Sequence, residues 1–419
     1  MSETVGQPKT KVKRSVMSMR GAFQSTQDGT FKIALISLTY PPVEGGIASH
    51  LAEVAQELAK RGFEVHIVTR RSPGSLIFEQ AGNLFIHRIA TLGPRLIASP
   101  SFIVRTIICL HEIKPCLVHS HEMLLPTTTS ALYKLFTRTP VVTTVHCSGP
   151  DIGEAARLER SMLGVLRQYW LPRQVDYFIV ISQIIEKELR VIGVPKSKLV
   201  PIPNGIDMER FTPSSDSERV ALRRQLGLPE GFIVIYTGRL DGIKRVENLI
   251  SVWANIQKVF PEATLLIVGT GPDEDALRRS AGSGIVFTGN VKDVATYLRA
   301  ANLFVLPSIS EGFSLSTLEA LACGLPVIAT RVGAIPELIQ HGQNGWIVDA
   351  DNLKDLENAL IKLIDNPALC ASFGLAGRRS VERDYSISST TSKLADLYSS
   401  AIGNSRESAE GKNLARQSR

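Results

Sequence analysis

The sequence predicts an α/β protein made of two doubly wound, Rossmann-like domains facing each other across a cleft. Three observations predict it. A buried-type strand, a glycine loop, an amphipathic helical pattern and a second strand open the chain over residues 31–69. The same series starts over at residue 232. The length of 419 residues gives room for two full cores, and no repeat of twenty to fifty residues is visible.

Taken in order, residues 1–30 are polar and basic, without the apolar core of a secretory signal, and read as a disordered arm. Its scarcity of acidic residues also fits a transit peptide. FKIALISL (31–38) is a strand, TYPPVEGG a loop, and Leu51, Val54, Ala55 and Leu58 repeat at helical spacing before Gly62. EVHIVT (64–69) is the next strand, and further strands fall at LFIHRI, 116–121, 140–146 and 177–182. KLVPIPNGID brings turn residues, and TPSSDSER ends a connecting region, so the first domain spans 31–208. The second, 209–384, begins with FIVIYTG, the loop GRLDGIKR and the helix VENLISVWANIQKVF; five more strands start at residues 264, 285, 303, 326 and 345. Residues 385–402 read as a last helix and 403–419 as a disordered tail.

Composition narrows the class. Hydrophobic content of 44% and charge of 21% are ordinary for a soluble globular protein. No apolar run reaches the roughly 18 residues of a membrane span. Five cysteines, odd in number and without a CxxC pair, fit a reduced, cytoplasmic setting and no structural zinc. Residues 1–200 hold 24 Lys and Arg against 15 Asp and Glu, leaving a slight acidic excess in the remainder. A basic half suits an anionic membrane face, nucleic acid or a phosphorylated ligand, although a solvated tail is the ordinary explanation for the part in the arm. RLERSMLGVLRQYWLPRQ (157–174) reads as one amphipathic helix. Met162, Leu163, Leu166 and Tyr169 line one side, and Arg157, Arg160, Arg167 and Arg173 supply cations. A core helix with a solvated basic face is the simpler explanation of that pattern.

The glycines bear on the ligand class, weakly on their own. Gly45 and Gly46 sit in a strand-to-helix turn, where a missing Cβ lets an anion approach the backbone. The loop is not G-x-G-x-x-G, and the second strand ends in Thr69, Arg70 and Arg71 in place of the acidic residue that holds an NAD ribose, which argues against NAD; NADP, which tolerates Arg there, stays open but lacks its glycine pattern. There is no P-loop signature. In the second domain Arg239 follows the first strand and Lys244 comes five residues later, both at the carboxyl end of the sheet. Two cations there can stabilise a diphosphate leaving group without a metal ion.

In SISEGFSLSTLEALACGLPV, Gly312 marks a turn and a helix begins near Ser314, so Glu311 precedes the helix and Glu319 lies inside it. The amides of Phe313, Ser314 and Leu315 attract an anion, while the carboxylates accept from sugar hydroxyls. A sugar bearing a phosphate satisfies both. Taken alone, the pair also fits an acidic helix start with an exposed Glu on its flank. His146, ending a buried strand, is in isolation most simply a hydrogen-bonded structural residue. The spacing of the histidines suggests no metal site, and the pattern calls for no cofactor beyond a nucleotide-sugar co-substrate.

The ordered set PPVEGG, VVTTVH, FIVIS, VPIPNGID, YTGRLDGIK, LLIVGTGP, VFTGN and LPSISEGFSLSTLEALACGLPVIATRVGAIPELI resembles the retaining GT-B glycosyltransferases of family 4, over about residues 31–398. The resemblance implies a GT-B fold whose final helix crosses back to the first domain. It implies that Glu311 contacts donor-sugar hydroxyls, Glu319 the ribose, Arg239 and Lys244 the diphosphate, Gly46 the diphosphate or sugar, and His146 the transferred sugar. Val291 and its neighbours would border the base. Two positions depart from the family: Arg245 and Ser314 stand where glycine is usual. Arg245 is either neutral or a further contact to an acidic acceptor. The implied activity is metal-independent transfer, with retention, from a nucleotide diphosphate-sugar to a hydroxyl on a glycan, lipid or small molecule, on the cytoplasmic face of an anionic membrane or free of it. Nucleic acid is not an expected partner. A nucleotide-sugar 2-epimerase and a silent nucleotide-sugar-binding protein stay open as alternatives.

Overall fold

The computed structural model describes residues 31–417 apart from 44, 150–152 and 162, so the arm over 1–30 lies outside the described residues. Two open sheets organise the chain. The first contains β1 (Lys32–Ser37), β2 (Glu64–Arg70), β3 (Phe78–Ala81), β4 (Leu84–Ile89), β5 (Leu117–His121), β6 (Val141–Val145), β7 (Tyr177–Val180) and β8 (Leu199–Pro201). The second contains β9 (Ile233–Thr237), β10 (Thr264–Val268), β11 (Ile285–Gly289), β12 (Leu303–Leu306), β13 (Val327–Thr330) and β14 (Trp346–Val348). Their orders are β3-β4-β2-β1-β5-β6-β7-β8 and β11-β10-β9-β12-β13-β14. Every pairing is parallel except β3 with β4, an edge hairpin whose first strand, β3, the sequence reading leaves out.

Between the strands of the first sheet run α1 (Gly46–Lys60), α2 (Arg95–Ile113), α3 (Leu125–Thr137), α4 (Glu154–Glu159), α5 (Gly164–Gln174) and α6 (Gln183–Val191). The second domain adds α7 (Asp216–Leu226), α8 (Val246–Val259), α9 (Glu274–Ser280), α10 (Val294–Ala300), α11 (Leu315–Ala322), α12 (Ile335–Leu338), α13 (Leu353–Ile364) and α14 (Pro367–Asp384), and α15 (Ile387–Gln417) closes the chain. Central strands such as β9, β10 and β12 are buried along their whole length. That is why they read as unbroken apolar runs. Each fully buried Ile, Leu or Val there contributes roughly 1.5–3 kcal/mol against chain entropy. Both sheets reverse direction at their first strand: β1 lies between β2 and β5, and β9 between β10 and β12. Ligands of open α/β sheets bind at the carboxyl ends beside such a reversal.

Three expectations need correction. Residues 157–174 form two helices, because Leu163 turns the chain with φ 57° and Gly164 fits against the Leu158 carbonyl, where a Cβ would come within 2.2 Å. Part of TPSSDSER is helix: Ser215 Oγ accepts from the Glu218 amide and Glu218 Oε2 accepts from the Ser215 amide, a capping box that starts α7. The tail read as disordered from residue 403 continues α15 to Gln417. Asn404 Nδ2 donates to Tyr177 Oη at 3.0 Å and Ser405 Oγ to the Arg138 carbonyl at 3.3 Å, so the extension is anchored on the first domain.

The crossing of α15 follows from its contacts. Arg61 Nη1 donates to Ser392 Oγ and Arg61 Nη2 to the Ser388 carbonyl, each at 2.8 Å. Tyr398, fully buried, meets Phe63 edge-on and bonds His119 Nδ1 at 2.7 Å. The linker after β8 is tied to the turn before α15 by bonds in both directions: Ile206 N to Tyr385 O and Ile387 N to Ile206 O, each 2.9 Å.

Candidate functional site

The facing carboxyl edges of the two sheets enclose a cleft of about 710 Å³. Gly45, Gly46 and His146 line it from the first domain, and Arg239, Lys244, Val291, Glu311, Gly312, Phe313, Ser314, Leu315 and Glu319 from the second. The residues expected from the sequence to bind the donor or to act on it thus share one hollow.

Two helix starts converge there. Gly45 precedes α1 with φ 145°, a conformation that side chains rarely adopt. A Cβ on Gly46 would stand 3.3 Å from Leu315 Cδ1, so the first residues of α1 and α11 face each other across the cleft. Unpaired amides at both starts aim positive potential into the gap. Beside them Lys244 Nζ lies 2.7 Å from Glu311 Oε1. Glu311 is 6% exposed, so the ammonium offsets a carboxylate that water hardly reaches. Arg239 is open to the cleft, 70% exposed at its side chain, with Nε 3.3 Å from Asp241 Oδ2. Tyr236 Oη donates to the Arg239 carbonyl at 2.8 Å and fixes its backbone.

Glu319 projects from α11 toward the first domain. Burial pushes its carboxyl up to about 8; the Glu53 charge adds to this and Arg210 opposes it. Glu53, on α1, is itself pushed up to about 7 by burial. Arg210 stands between the domains, 3.5 Å from Glu53 Oε1 and 3.5 Å from Asp293 Oδ1. Of the two, Glu319 lines the cleft, where its carboxyl group can hydrogen-bond a hydroxyl.

The His146 loop locks onto the Glu311 turn. Ser148 Oγ donates to the Glu311 carbonyl at 3.1 Å, and a Cβ on Gly312 would fall 2.0 Å from the His146 carbonyl oxygen. Glu154, 1% exposed, braces the loop from below: its carboxylate accepts from the amides of His146 (2.6 Å), Cys147 (3.2 Å) and Met123 (2.5 Å). Burial pushes the Glu154 carboxyl up to about 8 despite these three bonds. Sequence reasoning missed Glu154, because nothing local marks a Glu whose partners are amides of two other loops. It also missed Thr237 and Asn204, which line the cleft. Asn204 read as a turn residue, and Thr237 Oγ1 is buried without a partner.

The two departures from glycine share a conformation. Arg245 has φ 51° and Ser314 φ 53°, the left-handed region that costs a side-chain-bearing residue roughly 1–2 kcal/mol. Glycine at these positions thus serves the backbone. Arg245 pairs with Glu247 at 3.2 Å and Asp351 at 3.4 Å and does not line the cleft, which leaves the acceptor-contact reading without support. Ser314 Oγ bonds Thr317 Oγ1 at 2.9 Å within the first turn of α11.

Comparison with known proteins agrees with this geometry. Residues 44–210 match the family described as Glycosyltransferase Family 4, and residues 231–366 the family described as Glycosyl transferases group 1. The chain is 27% identical over 375 residues to N-acetyl-α-D-glucosaminyl L-malate synthase of Bacillus anthracis, covering 87% of this chain and 96% of that protein. It is 32% identical over 240 residues to a GDP-mannose-dependent monoacylated α-(1-6)-phosphatidylinositol monomannoside mannosyltransferase of Corynebacterium glutamicum, covering 54% of this chain and 63% of that one. Sucrose-phosphate synthase from Thermosynechococcus elongatus shares the fold with a TM-score of 0.77 and 25% identity, over 89% of this chain and 100% of that one. HepE of Anabaena, solved with UDP, has a TM-score of 0.73 at 20% identity, over 88% and 100%, a likeness of fold alone. Family matches over most of both domains, and a fold shared along nearly the whole chain with solved glycosyltransferases, establish that this protein belongs to the group 1 glycosyltransferases of the family 4 type, with the GT-B fold.

Proposed function

We propose that the protein transfers a glycosyl group, with retention of anomeric configuration, from a nucleotide diphosphate-sugar to a hydroxyl acceptor. The observation that supports this best is the Lys244–Glu311 pair beside two facing helix starts. Glu319 holds the ribose, Glu311 orients the sugar through its hydroxyls, Arg239 and Lys244 take the diphosphate, and Val291 borders the base. As the bond from the anomeric carbon to the phosphate oxygen breaks, the diphosphate gains charge that Arg239, Lys244, Gly46 and the α11 amides stabilise. The acceptor oxygen bonds the anomeric carbon on the same face, and its proton passes to the departing phosphate. The two cations supply the charge neutralisation this needs, so the transfer runs without a metal ion. Closure of the domains excludes water and suppresses hydrolysis of the donor.

Relatives named for malate, phosphatidylinositol mannoside and inositol phosphate as acceptors favour an anionic or lipid-borne acceptor. The outer helices of the first domain fit a peripheral membrane position. Phe136 on α3 and Leu163, Val165, Leu166 and Tyr169 at α5 are more than half exposed, with Arg173 stacked on the Tyr169 ring at 3.6 Å. Arg167 is not part of that cationic face, since its guanidinium donates to Thr128 Oγ1, the Leu124 carbonyl and Ser161 Oγ. Among the described residues no single helix is long and apolar enough to cross a membrane. The test is product analysis by NMR after incubation with UDP-, GDP- and ADP-sugars and candidate acceptors. An α-linked product from an α-linked donor supports the proposal. An inverted product overturns retention, free sugar without glycoside points to the epimerase alternative, and binding without turnover points to a silent receptor.

A further inference from the structure

The first domain buries four histidines near the cleft, which His146 lines: His50 on α1, His119 and His121 on β5, and His146 just past β6. Parallel pairing of β5 with β6 sets His121 opposite Thr144, two residues before His146. The His121 and His146 rings stack with centroids 5.2 Å apart, and His121 Nδ1 lies 3.0 Å from His146 Nε2. His119 is engaged elsewhere, with Nδ1 on Tyr398 Oη and Nε2 on Thr144 Oγ1, each at 2.7 Å. Burial holds His121 and His146 well below the usual imidazole range, so both rings are neutral and share one proton between the facing nitrogens.

Which ring owns that proton follows from a fixed donor at the far end. The Gly205 amide reaches His50 Nε2 at 3.3 Å, and an amide can only donate. Neutral His50 therefore carries its proton on Nδ1. His50 Nδ1 and His121 Nε2 are both buried without a partner. With His121 protonated on Nδ1, its Nε2 is a buried lone pair without a donor, the more tolerable of the two faults. The opposite choice leaves a second buried N–H without an acceptor, the rarer and costlier fault. His121 Nδ1–H then donates to His146 Nε2, and His146 keeps its own proton on Nδ1, the nitrogen without a partner among the described residues.

We propose that His121 is a positioning residue that fixes His146 in the Nδ1–H tautomer, so that the ring offers the cleft a hydrogen-bond donor and not a base. The inference rests on the reading that His146 lies beside the transferred sugar. A donor there bonds a sugar hydroxyl or ring oxygen and leaves acceptor deprotonation to the departing phosphate. Glu154 supports the same residue through its backbone amide.

The test has two arms. In protein labelled with ¹⁵N histidine, long-range ¹H–¹⁵N correlation spectra report the tautomer of each ring, assigned with single His variants. A protonated Nδ1 and bare Nε2 at His146 support the proposal; the reverse pattern overturns it, whatever the enzyme's activity. In the second arm His121→Asn keeps an amide near the place of Nδ1, whereas His121→Phe keeps ring bulk without a donor. Nucleotide binding, measured as protection by UDP or GDP against unfolding, stays at the wild-type level in both. Turnover falls about tenfold or more in His121→Phe and returns most of the way in His121→Asn. Wild-type turnover in His121→Phe, or equal loss in both variants, overturns the proposal. If the wild type transfers no sugar from any donor, the functional reading fails while the tautomer result stands.

Discussion

Lys244 Nζ and Glu311 Oε1 stand 2.7 Å apart on loops that follow two adjacent strands, β9 and β12, and between them they set the charge of the cleft. The pair is balanced without a ligand. On the proposed reading, an arriving diphosphate would draw the ammonium and free Glu311 for sugar hydroxyls.

Lys244→Ala removes the counter-charge of a buried carboxylate and a donor to the leaving group together. Turnover is expected to fall on the order of 100-fold or more, and thermal stability to drop measurably. Glu311→Gln in the same background restores the stability and not the activity. Steady-state kinetics and calorimetry on the single and double variants check this.

Arg239 offers the contrast. Its side chain is mostly exposed and pairs only loosely with Asp241, an interaction worth about 0–1 kcal/mol at most. Arg239→Ala is expected to leave the unfolding midpoint nearly unchanged while lowering kcat on the order of 10–100-fold. Unchanged donor turnover contradicts the role assigned to it.

Gly312→Ala places a methyl within 2.0 Å of the His146 carbonyl, so the loop and turn that join the domains must separate. Activity is expected to collapse with only a modest change in stability, because the contact lies at the rim of both cores. A crystal structure or small-angle scattering with donor bound shows whether the domains fail to approach.

Arg245→Gly relieves a left-handed backbone at the cost of two surface ion pairs. A stability gain of about 1 kcal/mol with unaltered kinetics is expected, read from denaturant midpoints.

The pH dependence of stability has two limbs. Glu53, Glu154 and Glu319 have carboxyls raised to about 7, 8 and 8. The folded state therefore holds protons that the unfolded chain has released, and stability declines as pH rises toward 8. His50 and His119 are lowered to about 4 and 3, with His121 and His146 also well below 6.5. Their contribution is lost as pH falls below 6.5, where the unfolded imidazoles take up protons. The unfolding midpoint is expected to peak near pH 6.5, and Glu319→Gln to flatten the alkaline limb. Thermal scans across pH 4–9 decide.

What could be read in the sequence, and what could not, follows from the range of the interactions. Strands buried on both faces announce themselves as apolar runs, and Glu311, Gly312 and Glu319 sit on one strand-turn-helix unit, so local spacing places them together. The cleft needed only two such units facing each other. The histidine array depends instead on the register of β5 with β6, which no local pattern encodes. Arg167 looked like a free cation because its acceptors Thr128 and Leu124 are about forty residues away. The extension of α15 escaped because its polar sequence is held by contacts to Tyr177 and Arg138, not by an apolar stripe of its own.

The most direct test of the central claim is protection against thermal unfolding by a panel of UDP-, GDP- and ADP-sugars. A ligand at about 100 times its Kd adds roughly 2.7 kcal/mol of stability. At least one sugar nucleotide is predicted to raise the midpoint of the wild type and to leave Glu319→Ala and Lys244→Ala close to their unliganded values. A panel in which none shifts the wild type, or in which both variants respond as fully as it does, contradicts the assignment of this cleft.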